Sequence, residues 1–165
     1  MVGTHIIVDL HGVSDSTFEL VYKNNFASFN DFVINVIKNN GATPLNSIVH
    51  HFNNVGSFTI LYLLAESHLS LHTWPEKNYI AMDVFTCGDS NTTNIANELK
   101  KFFKPEFVCE KIYIRGENEI DIMETTKTKI NIENKPTVNK FSLLNFTIGL
   151  LFLLYMYKLI CIFYF

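Results

Sequence analysis

The sequence predicts an α+β fold: a two-layer sandwich, with a mainly antiparallel sheet carrying helices on one face, plus a C-terminal transmembrane helix. Three observations carry that prediction. Short apolar or alternating runs bounded by turn residues recur between Thr4 and Arg115, the period-two signature of strands. Two segments instead repeat apolar residues at helical spacing: Phe29, Phe32, Val33, Val36 and Ile37 in one, Ile95, Ala96, Leu99, Phe102 and Phe103 in the other. Residues 141–165 are almost wholly apolar with Lys158 as their single charge, and roughly 20 apolar residues suffice to cross a bilayer as a helix.

In chain order, Thr4 to Leu10 is β-branched and apolar and reads as a buried first strand, with His11-Gly12 as its exit turn. The pattern from Ser14 to Asn25 is weak. Ser28 to Asn40 reads as a helix, capped by Ser28 and stopped by Asn40-Gly41. Leu45 to Phe52 is a second strand, Asn53 to Gly56 a turn, and Phe58 to Ala65 a third strand. Ser67 to Thr73 alternates and forms a fourth. Trp74-Pro75-Glu76 breaks it, and Lys77-Asn78 turns the chain into a fifth strand from Tyr79 to Phe85. Either Ser90 or Asn91 caps a helix that runs to about Lys104, where Pro105 ends it. Phe107 to Arg115 is the last strand, giving the order β-α-β-β-β-β-α-β. Residues 1–116 are therefore the folded domain. Residues 117–140, rich in Thr, Asn, Lys and Glu without sustained periodicity and interrupted by Pro136, read as a linker to the 141–165 span. Lys127, Lys129, Lys135 and Lys140 precede that span, so the positive-inside tendency keeps the domain cytoplasmic on a single-pass tail anchor.

Composition excludes some classes. A net charge of −3 without a basic stripe argues against nucleic-acid binding. The cysteines, Cys87, Cys109 and Cys161, are odd in number and one lies in the apolar tail, which points to a reducing compartment rather than a disulfide framework. The opening Met-Val-Gly-Thr-His has neither the basic start nor the apolar core of a signal peptide.

The densest chemistry lies between Glu66 and Asp89. If the fourth and fifth strands form a hairpin, Cys87 returns beside Ser67 and His72, and a serine, a histidine and a cysteine converge. Strict alternation places both His68 and His72 on the face opposite Ser67, so a kink at Ser67 is needed to gather them. Each residue also has a plainer reading: Ser67 as a turn serine, His72 as a strand histidine bonded to a neighbour, Cys87 and Cys109 as small hydrophobes, Trp74 as packing.

The run A-E-S-H-L-S-L-H-T-W-P-E followed by D-V-F-T-C-G-D closely resembles the short, prokaryotic-type S-adenosylmethionine decarboxylase proenzymes. G-T-H-I-I-V-D-L-H-G at Gly3 to Gly12 is similar to that family's first strand, and H-H-F at His50 to Phe52 to its second; the resemblance covers residues 3 to 116. It implies autocatalytic cleavage between Glu66 and Ser67, converting Ser67 into a pyruvoyl group that forms a Schiff base with S-adenosylmethionine. No metal, pyridoxal phosphate or other added cofactor is implied. By motif position His72 is the proton acceptor in processing and Cys87 the proton donor in decarboxylation, whose product is the aminopropyl donor for spermidine. The family's processing hydroxyl falls on Thr59 counting without a gap, or on Ser57 with a one-residue slip. The resemblance also implies a homodimer of cleaved α/β protomers with active sites near the subunit interface. Two departures stand out: Phe58 replaces a family glycine in the segment upstream of the cleavage site, and the family has no apolar tail. They keep open an alternative, a non-catalytic membrane-tethered paralogue that binds or activates an active decarboxylase.

Overall fold

The structure, a computed structural model, describes residues 2–22, 26–52, 56–116 and 121–129, all within one compact unit, Met1–Asn131. The strands are β1 (Gly3–His11), β2 (Pro44–His51), β3 (Phe58–Leu64), β4 (Ser67–Trp74), β5 (Tyr79–Cys87), β6 (Phe107–Arg115) and β7 (Asp121–Lys129). The helices are α1 (Asp15–Tyr22), α2 (Ala27–Asn39) and α3 (Thr92–Phe103). The strands form one antiparallel seven-stranded sheet in the order β2-β3-β4-β5-β1-β6-β7.

Alternation decides which face is covered. Ile6, Val8 and Leu10 of β1, Phe58, Ile60, Tyr62 and Leu64 of β3, Leu69 and Leu71 of β4, and Ile80, Met82 and Val84 of β5 all point to one side. There they meet Phe29, Val33, Val36 and Ile37 of α2 and Ile95, Ala96, Leu99 and Phe103 of α3. Each fully buried side chain of this kind contributes about 1.5–3 kcal/mol of transfer free energy, so the helix-covered face is the core. The intervening residues put His5, Asp9, His68, Ser70, His72 and Asp83 on the opposite face, beside the exposed Leu61 and Leu63 of β3. That open face carries the chemistry.

Several elements differ from their sequence reading. The weak Ser14–Asn25 stretch contains α1, which buries Thr17, Phe18 and Val21; two turns are too short for a helical period to stand out. α2 starts at Ala27, and its N-cap is Phe26 in a left-handed conformation (φ 72°), so Ser28 lies inside the helix rather than capping it. Ring contacts of Phe26 with Phe29 and Phe58, at 5.3 and 5.0 Å, hold that unusual backbone through aromatic burial. At the other end the expected stop holds: Asn40 Nδ2 donates to the Val36 carbonyl at 2.8 Å, and Gly41 takes φ 79°. Asn91, rather than Ser90, caps α3, its Oδ1 accepting from Asn94 N–H at 3.0 Å.

β7 lies where a linker was expected. It pairs with β6 from Phe107↔Lys129 to Ile114↔Asp121, extending the sheet past Gly116. Thr125, Thr126 and Thr128 suit a strand, and exposed Lys127 and Lys129 suit its edge position. The expected transmembrane segment, 141–165, lies outside the described residues. Among the described residues no helix is long and apolar enough to cross a membrane.

Candidate active site

β3 and β4 are joined by the two-residue turn Ala65-Glu66, with Leu64 opposite Ser67. Turns this tight usually place Gly or Asn where φ is positive. Here neither is available, and the distortion falls on Ser67, at φ 155°. Residues with a side chain rarely occupy that region, at a cost of about 1–3 kcal/mol. The turn is clamped by Thr43, the residue before β2: its carbonyl accepts from Ala65 N–H at 2.9 Å and its own N–H donates to Glu66 Oε2 at 2.8 Å. Burial pulls the Glu66 carboxyl upward, but the hydrogen bond from Thr43 outweighs it and the net shift is downward.

The expected hairpin of β4 and β5 is present, in register from Ser67↔Thr86 to Trp74↔Tyr79, with Pro75–Lys77 as one turn of 3-10 helix between them. Cys87 thereby reaches the Glu66-Ser67 peptide. Its backbone N–H and its thiol each donate to the Glu66 carbonyl oxygen at 3.2 Å. Two donors on one carbonyl polarise it toward attack and match the arrangement that stabilises a tetrahedral oxyanion. Ser67 Oγ lies 3.1 Å from His68 Nδ1, a distance at which an unprotonated Nδ1 accepts the hydroxyl proton.

The gathered set is therefore Ser67, His68 and Cys87, and His72 is not among them. The kink at Ser67 exists, but it turns the hydroxyl to the adjacent histidine, against the simple alternation rule. His72 lies five residues along β4, about 16 Å away at the ordinary strand rise. It pairs across the β3–β4 seam with Thr59, whose Oγ1 is 2.7 Å from His72 Nδ1. With Nδ1–H donating to Thr59, the free lone pair of a base sits on Nε2. The imidazole stacks on Trp74 (3.8 Å between ring centres) and tilts against Phe52 (5.5 Å). Burial lowers its pKa, which keeps it neutral and able to accept a proton near neutral pH.

This geometry distinguishes the two hydroxyl candidates. Thr59 contacts His72, whereas Ser57 is buried, with its carbonyl accepting from Phe52 N–H at 2.9 Å and from the Tyr22 hydroxyl at 3.4 Å. Trp74 does more than pack. It continues a row of rings through Tyr79 (5.0 Å) to His11 (4.9 Å from Tyr79), and Tyr79 donates to Asp9 Oδ1 at 2.5 Å. Burial and the Asp9 carboxylate push the Tyr79 pKa up to about 12.

Beside Ser67, sequence reasoning missed a second polar group. His5 Nε2 meets Asp83 Oδ1 at 3.3 Å, the His5 and His68 rings are 6.3 Å apart, and the Arg115 guanidinium lies 4.4 Å over the Phe85 ring. Burial lowers the His5 pKa, and Asp83 offsets part of that shift. Alternation marks His5 and Asp83 as belonging to a polar face; their meeting depends on β1 docking beside β5, which no local signal announces.

Comparison with known proteins agrees with the cleavage-motif resemblance. A family model described as S-adenosylmethionine decarboxylase matches residues 4–116. An S-adenosylmethionine decarboxylase proenzyme of Persephonella marina is 36% identical over 132 residues, covering 79% of this chain and 95% of the relative. One from Prochlorococcus marinus is 46% identical over 99 residues, covering 60% of this chain and 74% of the relative. Among solved structures, the adenosylmethionine decarboxylase of Aquifex aeolicus superposes with a TM-score of 0.61 at 28% identity, covering 72% of this chain and 93% of that one.

Proposed function

The chain belongs to the prokaryotic-type S-adenosylmethionine decarboxylase proenzymes and is an S-adenosylmethionine decarboxylase; from that premise we propose that it works through a pyruvoyl group made from its own Ser67. The observation that carries the proposal is the convergence on one peptide bond: strained Ser67 on one side, and the Glu66 carbonyl held by both donors of Cys87 on the other.

Processing follows from these contacts. Ser67 Oγ passes its proton to His68 Nδ1 and adds to the Glu66 carbonyl carbon, while Cys87 N–H and thiol stabilise the oxyanion. Collapse breaks the C–N bond, releases the Ser67 amine and leaves an ester between Glu66 and the serine oxygen. Removal of the Ser67 α-proton then expels the Glu66 carboxylate. The resulting dehydroalanine tautomerises and is hydrolysed with loss of ammonia.

His72 is the proton acceptor for that elimination, and the ~16 Å along β4 means that it serves a second copy. The open face supports this reading. Phe52, Ile48, Leu61 and Leu63 are 44, 71, 41 and 50% exposed around the Thr59–His72 pair. An apolar strip of this kind marks an interaction surface, and a twofold contact through it makes each Thr59–His72 pair available to the partner's Ser67. The homodimer is thus a condition for processing.

The pyruvoyl group, once formed, supplies the electron sink for loss of the substrate carboxylate. The residues around Ser67 fit it: Ser67 is half-buried rather than sealed in the core, and the half-buried Cys87 thiol donates to the carbonyl of the residue before it. Its S–H is the group placed to deliver the proton that replaces carbon dioxide. The product is decarboxylated S-adenosylmethionine, the aminopropyl donor for spermidine synthesis. Residues 141–165 anchor the enzyme in a membrane with the catalytic domain on the cytoplasmic side; extraction by detergent but not by alkaline carbonate tests that part. Intact mass of the purified protein tests the rest: two fragments divided at Glu66–Ser67, the second beginning with a pyruvoyl group, are expected. A full-length, inactive chain overturns the proposal.

A further inference from the structure

Glu66 is held at both ends by groups that the cut does not touch. Its side-chain Oε2 accepts the Thr43 N–H at 2.8 Å, and the Ala65 N–H beside it donates to the Thr43 carbonyl at 2.9 Å. Its main-chain oxygen accepts the Cys87 N–H and the Cys87 thiol, each at 3.2 Å. None of these bonds uses an atom of Ser67 or the nitrogen that leaves Glu66 on cleavage. Thr43, Ala65 and Glu66 stay on one fragment, so the side-chain latch closes within it, while Cys87 reaches Glu66 from the other fragment. A glutamate is a poor choice for a two-residue turn, where glycine or asparagine relieves strain. What this one offers is its reach to Thr43.

The inference rests on the processing route proposed above. Along that route the Glu66 carbonyl carbon exchanges the Ser67 nitrogen for the serine oxygen. Rupture of the bond from that oxygen to the serine β-carbon then leaves the Glu66 carbon with two oxygens and a negative charge. The oxygen that faces Cys87 is never exchanged.

We propose that Glu66 thereby becomes a positioning residue for decarboxylation: its side chain, latched to Thr43, keeps the newly made C-terminal carboxylate against the Cys87 thiol. The acceptor of the S–H changes from a neutral carbonyl to an anion, which strengthens the bond. A thiolate at that place would meet a like charge. The proton therefore stays on sulfur until the carbon that has lost carbon dioxide takes it, and the thiolate then recovers a proton from water. One bond cleavage makes the electron sink and the group that keeps its acid loaded.

Iodoacetamide reads this arrangement, since it alkylates the thiolate. The mature full-length protein and the uncut Ser67→Ala chain are labelled at one pH, and Cys87 is followed by peptide mass, apart from Cys109 and Cys161. Cys87 is expected to react about tenfold more slowly in the cut protein, the effect of one neighbouring like charge. In cut Glu66→Ala the carboxylate is no longer held, so Cys87 labelling rises toward the uncut rate and kcat per cut chain falls. Glu66→Gln, whose amide oxygen still accepts the Thr43 N–H, recovers both. If Glu66→Ala stays uncut, Glu66→Asp is read in its place, because it keeps the charge but is one methylene too short for Thr43. Equal Cys87 labelling before and after the cut, a shortened variant that labels like the parent, or a Gln variant no better than Ala would each overturn the role while leaving processing intact. A parent chain that never cuts, seen by intact mass before any label is added, overturns the processing route and this role with it.

Discussion

Replacing Cys87 with alanine separates the two chemical events, because only half of its contact with Glu66 belongs to the side chain. The backbone N–H, 3.2 Å from the Glu66 carbonyl oxygen, stays; the thiol at the same distance is lost. A thiol is a weak donor, worth no more than an ordinary net hydrogen bond of about 0.5–1.5 kcal/mol. Self-cleavage of Cys87→Ala should therefore slow by no more than about tenfold and still go to completion. Turnover is different, since a positioned general acid contributes about 10²–10⁴-fold and alanine provides no proton. Intact mass against time gives the cleavage rate, and carbon dioxide release per mole of cut protein gives the turnover rate. A Cys87→Ala chain that never cuts would place the thiol at the centre of processing, and one that cuts and turns over normally would remove it from the chemistry. Either result would refute the division argued from the two donors.

Other consequences can be checked with the same assays. His72→Ala alone should remain uncut, yet when co-expressed with Ser67→Ala the His72→Ala chain should be cleaved, because its Ser67 meets the partner's intact imidazole; failure of that complementation counts against action across the dimer. His68→Ala should slow the first processing step by roughly 10²–10⁴-fold without changing the turnover of whatever fraction matures; equal losses in both would show a structural role instead. Burial lowers the pKa of His5 and His72 below the ordinary 6.5. The unfolded chain therefore takes up protons first, and stability should fall as pH drops from about 6.5 through the folded-state values. Urea midpoints measured between pH 7 and 5 should show this slope, and His5→Gln with His72→Gln should flatten it.

Parts of this site were legible in the sequence for identifiable reasons. Leu69 and Leu71 alternate against Ile80, Met82 and Val84, and a Pro-containing turn joins the two runs, so the hairpin that returns Cys87 to Ser67 followed from local pattern. His68 was hidden because alternation assigns neighbours to opposite faces, and the positive φ that breaks the rule is imposed on Ser67 by a turn without glycine. The Thr59–His72 pair follows from register once Ala65-Glu66 is recognised as the whole turn, yet no residue there signals a turn so short. β7 shows the opposite limit. Its described side chains are threonines and lysines, and its order comes from pairing with β6, a tertiary contribution that composition cannot reveal.

The strand order gives the cut a thermodynamic meaning. Severing Glu66 from Ser67 assigns β1, β2 and β3 to one fragment and β4, β5, β6 and β7 to the other, while β1 remains inserted between β5 and β6. The fragments are interleaved along three seams, β3–β4, β5–β1 and β1–β6, and the second fragment has a gap in its sheet without the first. Unfolding, which involves a single molecule before the cut, becomes a dissociation afterwards, so the melting temperature of the mature protein should rise with its concentration. The native order of events is correspondingly constrained: the chain must thread β1 into place while still continuous, and a chain that cut itself early would leave two pieces searching for each other by diffusion.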